Sequence, residues 1–561
     1  MVSSVPASTA PDRLLAPAPR NRHLARLLIH LLALIFTATT IAQTSAPASV
    51  PASTAASAPS AAIVLNDLCS SDPAVHAAAL AALPHLSPAD FPLLNIALGA
   101  NRLSRSDHLA IRRAMVAIRI RPIRRKALEP VLRDQTLRIR ALRQAFHAAA
   151  PAHAPWAATV DSLFDALAAP STQTEPQALT HIAELIHQAI AAGCNDPYIR
   201  FLALWMNRAQ DLAPDQTLQV WSRYQSVAQD LQQSGYPSYV KLGCWFSAVQ
   251  FLSRHPIILP SDAKARIDRM GQTCLALLPQ ALAQAPLDSN QRWVSVQSTY
   301  SLIAATAGRD AAYQKVSTIV QAACPQSFIA PLLKARYWGA AAVPPLGVGT
   351  EPARRLAAKR LLEVQDHVRA AATLAWERNH SCVLAADALM DLAGSPEEFD
   401  LWYHRAIAAD PDDYTAHQRM VEHKLRAEDE PGPHLYAVTC GDHDRLDTGI
   451  TLLLPYYHYR VGTRNGAPIP GYFTRPAVFA EISEVYQRYL AAFPDNLRQR
   501  CAFARVACWA QQWDIAAAQF DKLQDRFDPT IFRSRQQYES MRSTAFNNCS
   551  PALHPPRPSP R

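Results

Sequence analysis

The chain has 561 residues, with 44 Pro, only 16 Gly and a formal net charge of +9. That length exceeds what one hydrophobic core needs, so a single small domain is excluded and several domains or one long array are expected. Alternating β-branched runs are scarce, which excludes a sheet-rich fold; the Ala-rich, Pro-punctuated sequence predicts helices with Pro at their boundaries.

Residues 1–26 are rich in Pro, Ala and Ser and carry Arg13, Arg20, Arg22 and Arg26. LLIHLLALIF (27–36) follows, then TATTIAQ. A basic start, a short apolar core and small residues at Thr40 and Ala42 predict a signal peptide over 1–42, cut after Ala42. An uncleaved anchor is the alternative, although the apolar run is short for a membrane span. Residues 43–62 have no apolar face and are expected to be a disordered Pro/Ala/Ser linker.

From Ile63 the pattern becomes helical. Leu65 and Leu68 precede an Asp72-Pro73 helix start, and Val75, Ala79 and Leu83 follow at helical spacing. A second unit reads 91–98 and 104–118. This segment, 63–150, resembles a HEAT-type repeat module, which opens its second helix with Asp-Pro. Its later part is basic: 12 Arg and one Lys lie between Arg102 and Arg143 against Asp107, Glu129 and Asp134, a local charge of +10. Arg105, Arg112, Arg119 and Lys126 recur every seven residues, a shared helix face if Pro122 did not intervene; 118–125 is expected to be briefly extended there. Such a segment is either a solvated outer face or a surface for anionic polymer or lipid headgroups. No aromatic residue interleaves the arginines before Phe146, so no nucleic-acid partner is expected.

After a boundary at 147–156, helices are predicted at 157–168, 177–192, 197–210, 215–233, 237–253, 262–284, 291–306 and 310–323, separated by turn chemistry such as Asn195-Asp196-Pro197. Trp205, Trp221, Tyr224, Trp245, Phe246, Phe251 and Trp293 are expected in the core. Residues 336–350 read as an irregular loop, whose Gly347 and Gly349 do not make a phosphate cradle. Further helices follow at 351–378, 382–392, 396–413 and 414–425. The clearest stretch is Tyr472–Phe527. Pro476 opens a helix carrying Val478, Ile482, Val485 and Tyr489; Asn496 caps a second with Phe503, Val506 and Ala507; Gln511-Gln512 turns the chain into a third with Trp513, Ala516, Phe520 and Leu523. Large residues at the turns, small ones at the crossing and Asp528-Pro529 beyond make it resemble a tetratricopeptide repeat, with Ala504 in the usual Gly position. By layout, Phe328–Phe527 is similar to a group of exported bacterial proteins built on such helices. The resemblance implies an all-α α-solenoid of antiparallel helix pairs, HEAT-like over 63–150 and tetratricopeptide-like over 155–545, ending in a disordered tail at 550–561. It also implies protein partners on a concave face. It supplies no catalytic residues.

Chemistry is sparse. The ten Cys (69, 194, 244, 274, 324, 382, 440, 501, 508 and 549) include no C-x-x-C; most lie on predicted helices 30–60 residues apart and read as small buried thiols, although the even count leaves disulfides open. The richest polar cluster is His417, His423, His434, Cys440, Asp442, His443, Asp444, Asp447 and His458. Cys440 with His443 would be a thiolate–imidazole pair, and Asp442, Asp444 and Asp447 a calcium loop, though Leu446 stands where that template needs a ligand. The preferred reading is that Asp442 or Asp444 caps the helix that follows. No catalytic, cofactor-binding or metal-binding residue is assigned, and no cofactor is expected. The chain is expected to be an exported, non-catalytic scaffold in the periplasm or outside the cell. A polyanion or lipid binder using 102–143 and an enzyme using 417–458 are the alternatives, and a membrane is a partner only if the signal is not cleaved.

Overall fold

A computed structural model describes residues 60–99, 103–149, 154–168, 175–206, 214–254, 262–285, 290–341, 351–426, 432–464, 466–532 and 534–550. The expected signal segment, nearly all of the 43–62 linker, most of the 336–350 loop and the 551–561 tail lie outside them. The described chain is helical almost throughout. In order, the helices are α1 (Ala61–Leu68), α2 (Pro73–Ala82), α3 (Phe91–Gly99), α4 (Arg105–Ala149), α5 (Ala157–Ala168), α6 (Glu175–Ala191), α7 (Pro197–Met206), α8 (Pro214–Gln233) and α9 (Ser238–Arg254). They continue as α10 (Ala263–Gln284), α11 (Asn290–Ala307), α12 (Arg309–Ala323), α13 (Ile329–Ala341), α14 (Glu351–Arg378), α15 (Val383–Asp391) and α16 (Pro396–Ala409). Then come α17 (Tyr414–Arg426), α18 (Gly432–Gly441), α19 (Leu453–Gly462), α20 (Pro476–Ala492), α21 (Leu497–Trp509), α22 (Trp513–Leu523) and α23 (Arg535–Asn548). The described strands are two residues each, β1 (Thr463–Arg464) and β2 (Ala467–Pro468), paired antiparallel. Among the described residues no helix is long and apolar enough to cross a membrane.

Among the described residues, those from 60 to 495 and those from 496 onward form two compact units. In the first, α1–α3 bury Val64, Leu68, Leu83 and Leu94 together with Ile111, Ala114 and Ile118 of α4. Asp72 caps α2, accepting from the Ala74 amide at 2.8 Å, with Pro73 in the first turn where its missing N–H costs nothing. Helix α4 corrects the expected break at Pro122: it runs unbroken for 45 residues, and 118–125 is not extended. A proline in a helix interior costs about 3 kcal/mol of propensity. Anchors on both sides of Pro122 offset that cost. Ile111, Ala114 and Ile118 are buried before it, Arg124 is buried just after it, and Ile139, Leu142 and Phe146 are buried toward the end.

Each helix from α9 to α16 packs on its successor, and α9, α10, α11, α13 and α15 also pack on the helix after that. All seven aromatic residues expected in the core are buried, Trp221 and Tyr224 almost completely. Residues 336–341, expected to begin an irregular loop, are instead the end of α13, which continues to Ala341. All ten cysteines are free thiols, and eight of them are buried.

In the second unit Asn496 caps α21 by accepting from the Gln499 amide at 3.1 Å. Gln511 takes a left-handed φ of 58°, and the Gln512 amide donates back to the Ala507 carbonyl, closing the turn into α22. Phe503, Ala504, Phe520 and Leu523 are buried, and Tyr538 of α23 meets the Phe520 ring edge-on at 5.4 Å.

Candidate functional site

The basic segment and the 417–458 cluster, about 300 residues apart in sequence, meet in the structure. Arg124 of α4 forks onto Asp412 with two hydrogen bonds of 2.8 Å, and onto Asp444 with bonds of 3.0 and 2.9 Å. Its side chain is only 6% exposed. Burial alone would lower the guanidinium pKa; the two carboxylates overcome it and raise it. Burial likewise pushes Asp412 up, but its hydrogen bond to His443 and the charges of Arg124 and Arg445 win and hold it below the ordinary carboxylate range. Nearby, Arg112 donates to Asp442 at 2.7 Å, Arg113 pairs with Glu484 of α20, and Arg445 pairs with Asp447. Part of the segment expected to be one solvated or polyanion-binding surface is therefore neutralised within the molecule. Arg105, Arg119, Arg121, Arg125 and Lys126 remain exposed.

One expectation for the aspartates is corrected. Asp442 and Asp444 do not cap the following helix: α19 starts at Leu453 after Leu452, which makes no side-chain cap, while both carboxylates turn to arginines of α4. Nor do Asp442, Asp444 and Asp447 converge as a calcium loop; each has its own arginine. A buried guanidinium offers a carboxylate more than a helix terminus does, because a charged fork supplies two parallel donors.

Cys440 faces His417 rather than its sequence neighbour His443. Its Sγ lies 4.0 Å from His417 Nδ1. Burial pushes the thiol up to about 12, so at neutral pH it is the protonated form and not a thiolate. His417 is buried as well, and burial pulls its pKa down to about 4. A neutral ring completes a relay. Tyr403 donates to the Tyr436 hydroxyl (2.7 Å), Tyr436 to His417 Nδ1 (2.6 Å), and His417 Nε2–H to the Pro411 carbonyl (3.0 Å). The sulfur and its neighbours sit on an apolar cluster of Val421, Ala437, Ile450, Leu453 and Tyr457. His423 stands apart, stacked on Phe399 with ring centroids 4.0 Å apart.

The third group joins His434 of α18, His458 of α19 and Glu481 of α20. Both Nε2 atoms lie 2.9 Å from the same Glu481 oxygen, and the Tyr472 hydroxyl lies 3.0 Å from His458 Nδ1. Burial pushes Glu481 up, but the hydrogen bonds from His458 and His434 dominate and bring it down to about 2. The sequence brought out both histidines but neither Glu481 nor Tyr472, which belong to the stretch that looked like packing alone. No spacing rule links positions 434, 458 and 481; the one local hint was Gly471, at φ 77°, setting the turn before Tyr472. Between α4 and the α18–α20 helices lies a cavity of about 210 Å³, walled by Arg105, His108 and Arg112 on one side and Gly441, Glu481 and Glu484 on the other.

No protein-family model matches the chain, and no curated protein sequence matches it.

Proposed function

We propose that this is an exported, non-catalytic helical-repeat scaffold, tetratricopeptide-like over its larger part, that binds segments of other proteins. The observation that carries the reading is the packing of α9–α16, each helix on its successor and often on the next, which is how a stack of helix pairs shares one continuous core and leaves a long face for partners. The free, mostly buried cysteines and the protonated Cys440 thiol fit the absence of nucleophilic chemistry. Export rests on the 1–42 pattern and places the protein in the periplasm or outside the cell, anchored there if the signal stays uncleaved. The test is capture from an envelope extract by the purified mature chain, with each captured protein then re-bound as a pure component. At least one saturable partner is expected, and the mature N-terminus is expected at Gln43. Recovery of no re-binding partner contradicts the reading.

A second reading is favoured by the exposed Arg105, Arg119, Arg121, Arg125 and Lys126: a binder of anionic envelope polymer or lipid. Because α4 is paired to distant acidic residues, its test needs the whole chain, not an N-terminal fragment. Vesicles containing anionic lipid should bind with steep salt dependence; binding that is absent or indifferent to salt contradicts it.

A further inference from the structure

We propose that His434, His458 and Glu481 form a binding site for a divalent transition metal, zinc by the chemistry of its donors. Three observations independent of the scaffold reading support it. The first is convergence. Three ligand-type side chains, one from each of three successive helices, bring a donor atom each to within 4.8 Å of one another. Zinc bonds to imidazole nitrogen and carboxylate oxygen run about 2.0–2.2 Å, so tetrahedral ligands stand roughly 3.3 Å apart. The two 2.9 Å contacts need to open by only a few tenths of an ångström. Two imidazoles and a carboxylate are a donor set for zinc rather than for magnesium or calcium, which take oxygen.

The second observation is support from outside the triad. A metal-bound histidine needs its other ring nitrogen held by a partner, and Tyr472 holds His458 Nδ1 at 3.0 Å. Tyr472 is itself fixed from behind. A Cβ at Gly462 would come within 2.4 Å of the Tyr472 ring, so the missing side chain is what lets the ring sit there. The third observation is access. His458 is 3% exposed, but His434 is 36% and Glu481 30% exposed, and Glu481 also walls the 210 Å³ cavity. Three protein ligands with an open side leave a fourth position for water or for a donor from a partner.

The metal changes the protonation of the triad in a defined way. Without it, both imidazoles carry Nε2–H and donate to Glu481, while Tyr472 donates to His458 Nδ1. With it, the single ring proton of each neutral imidazole moves by way of solvent from Nε2 to Nδ1, and the Nδ1–H of His458 points at the Tyr472 oxygen.

The test is competition between the chelator-stripped full-length chain and a chromophoric chelator for Zn²⁺, with Co²⁺ as a spectroscopic substitute. The wild-type chain is expected to take a single zinc ion and to give the visible absorption of four-coordinate Co²⁺. His434→Ala, in the half-exposed first turn of α18, should keep its far-ultraviolet circular dichroism and lose roughly 100-fold or more in affinity, as should Glu481→Gln; Tyr472→Phe should lose about 10-fold. His404→Ala, an exposed histidine elsewhere, should change nothing. Should His458→Ala fail to fold, the His434 and Glu481 variants decide. Failure of the wild-type chain to compete for zinc, or unchanged affinity in folded His434→Ala and Glu481→Gln, overturns the site. Neither result bears on partner binding by the scaffold.

Discussion

Two regions of the first unit are built by opposite rules. From α8 to α13 the helices meet their neighbours in sequence, and the glue is apolar: Trp221, Trp245, Phe246, Leu278 and Ile303 with little charge among them. Around α17–α20 the helices also meet α4, whose arginines come from more than 280 residues away, and the glue is buried charge. The first arrangement depends on volume and barely on pH. The second depends on both partners of each pair being present and ionised, and breaking one strands the other in a poor solvent.

The largest expected effects separate these rules directly. Trp221→Ala in α8 removes an almost fully buried indole and should destabilise by about 3–5 kcal/mol in chemical denaturation, with the loss constant across pH. Arg124→Ala should cost a similar amount, about 3–5 kcal/mol at neutral pH, because Asp412 stays buried without its guanidinium. Its loss should depend on pH. Asp412 is held below its ordinary range, so its pairing contributes stability above about pH 4 and loses it as the pH falls lower. The gap between Arg124→Ala and wild type should therefore narrow in acid, while that of Trp221→Ala does not. A pH-independent Arg124→Ala effect would erase the distinction between the two regions.

A middle-sized effect belongs to His417. Its folded pKa lies near 4, below an unfolded value near 6.5. Between those values the unfolded chain binds a proton that the folded chain refuses. Stability is full above about pH 6.5 and falls by roughly 3 kcal/mol as the pH drops toward 4. Denaturation midpoints measured through this window should slope in wild type and flatten in His417→Gln. The smallest effect is Gly462→Ala, whose added methyl meets the Tyr472 and Phe473 rings. It should cost about 1–3 kcal/mol, read as a drop in melting temperature; a neutral result would mean that Tyr472 is free to move.

The same contrast explains what could be read in advance. The neighbour-packed region was legible. Helix α5 spans 157–168 and α14 spans 351–378 as the sequence suggested, because turn residues such as Asp196-Pro197 and helical spacing of aromatics are local signals. The charged region was not. Pro122 reads as a break, and only the burial of Ile118 and Arg124 on either side, invisible locally, carries the helix through it. Asp444 reads as a cap, because nothing near it announces an arginine 320 positions earlier. Cys440 and His443 are neighbours in sequence, yet it is His417, 23 residues upstream, that faces the sulfur. His434 and His458 stood out by residue type; Glu481 looked like one more polar position on an amphipathic helix.

Helix α4 passes through Pro122 as one helix because Asp412 and Asp444 hold Arg124 just beyond it. Hydrogen exchange of the amides from 118 to 126, compared between the wild-type chain and Asp412→Ala, tests this most directly. A helix held in this way keeps those amides protected in wild type and loses protection on both sides of Pro122 in the variant. Rapid exchange there in wild type, or protection indifferent to Asp412, would contradict it.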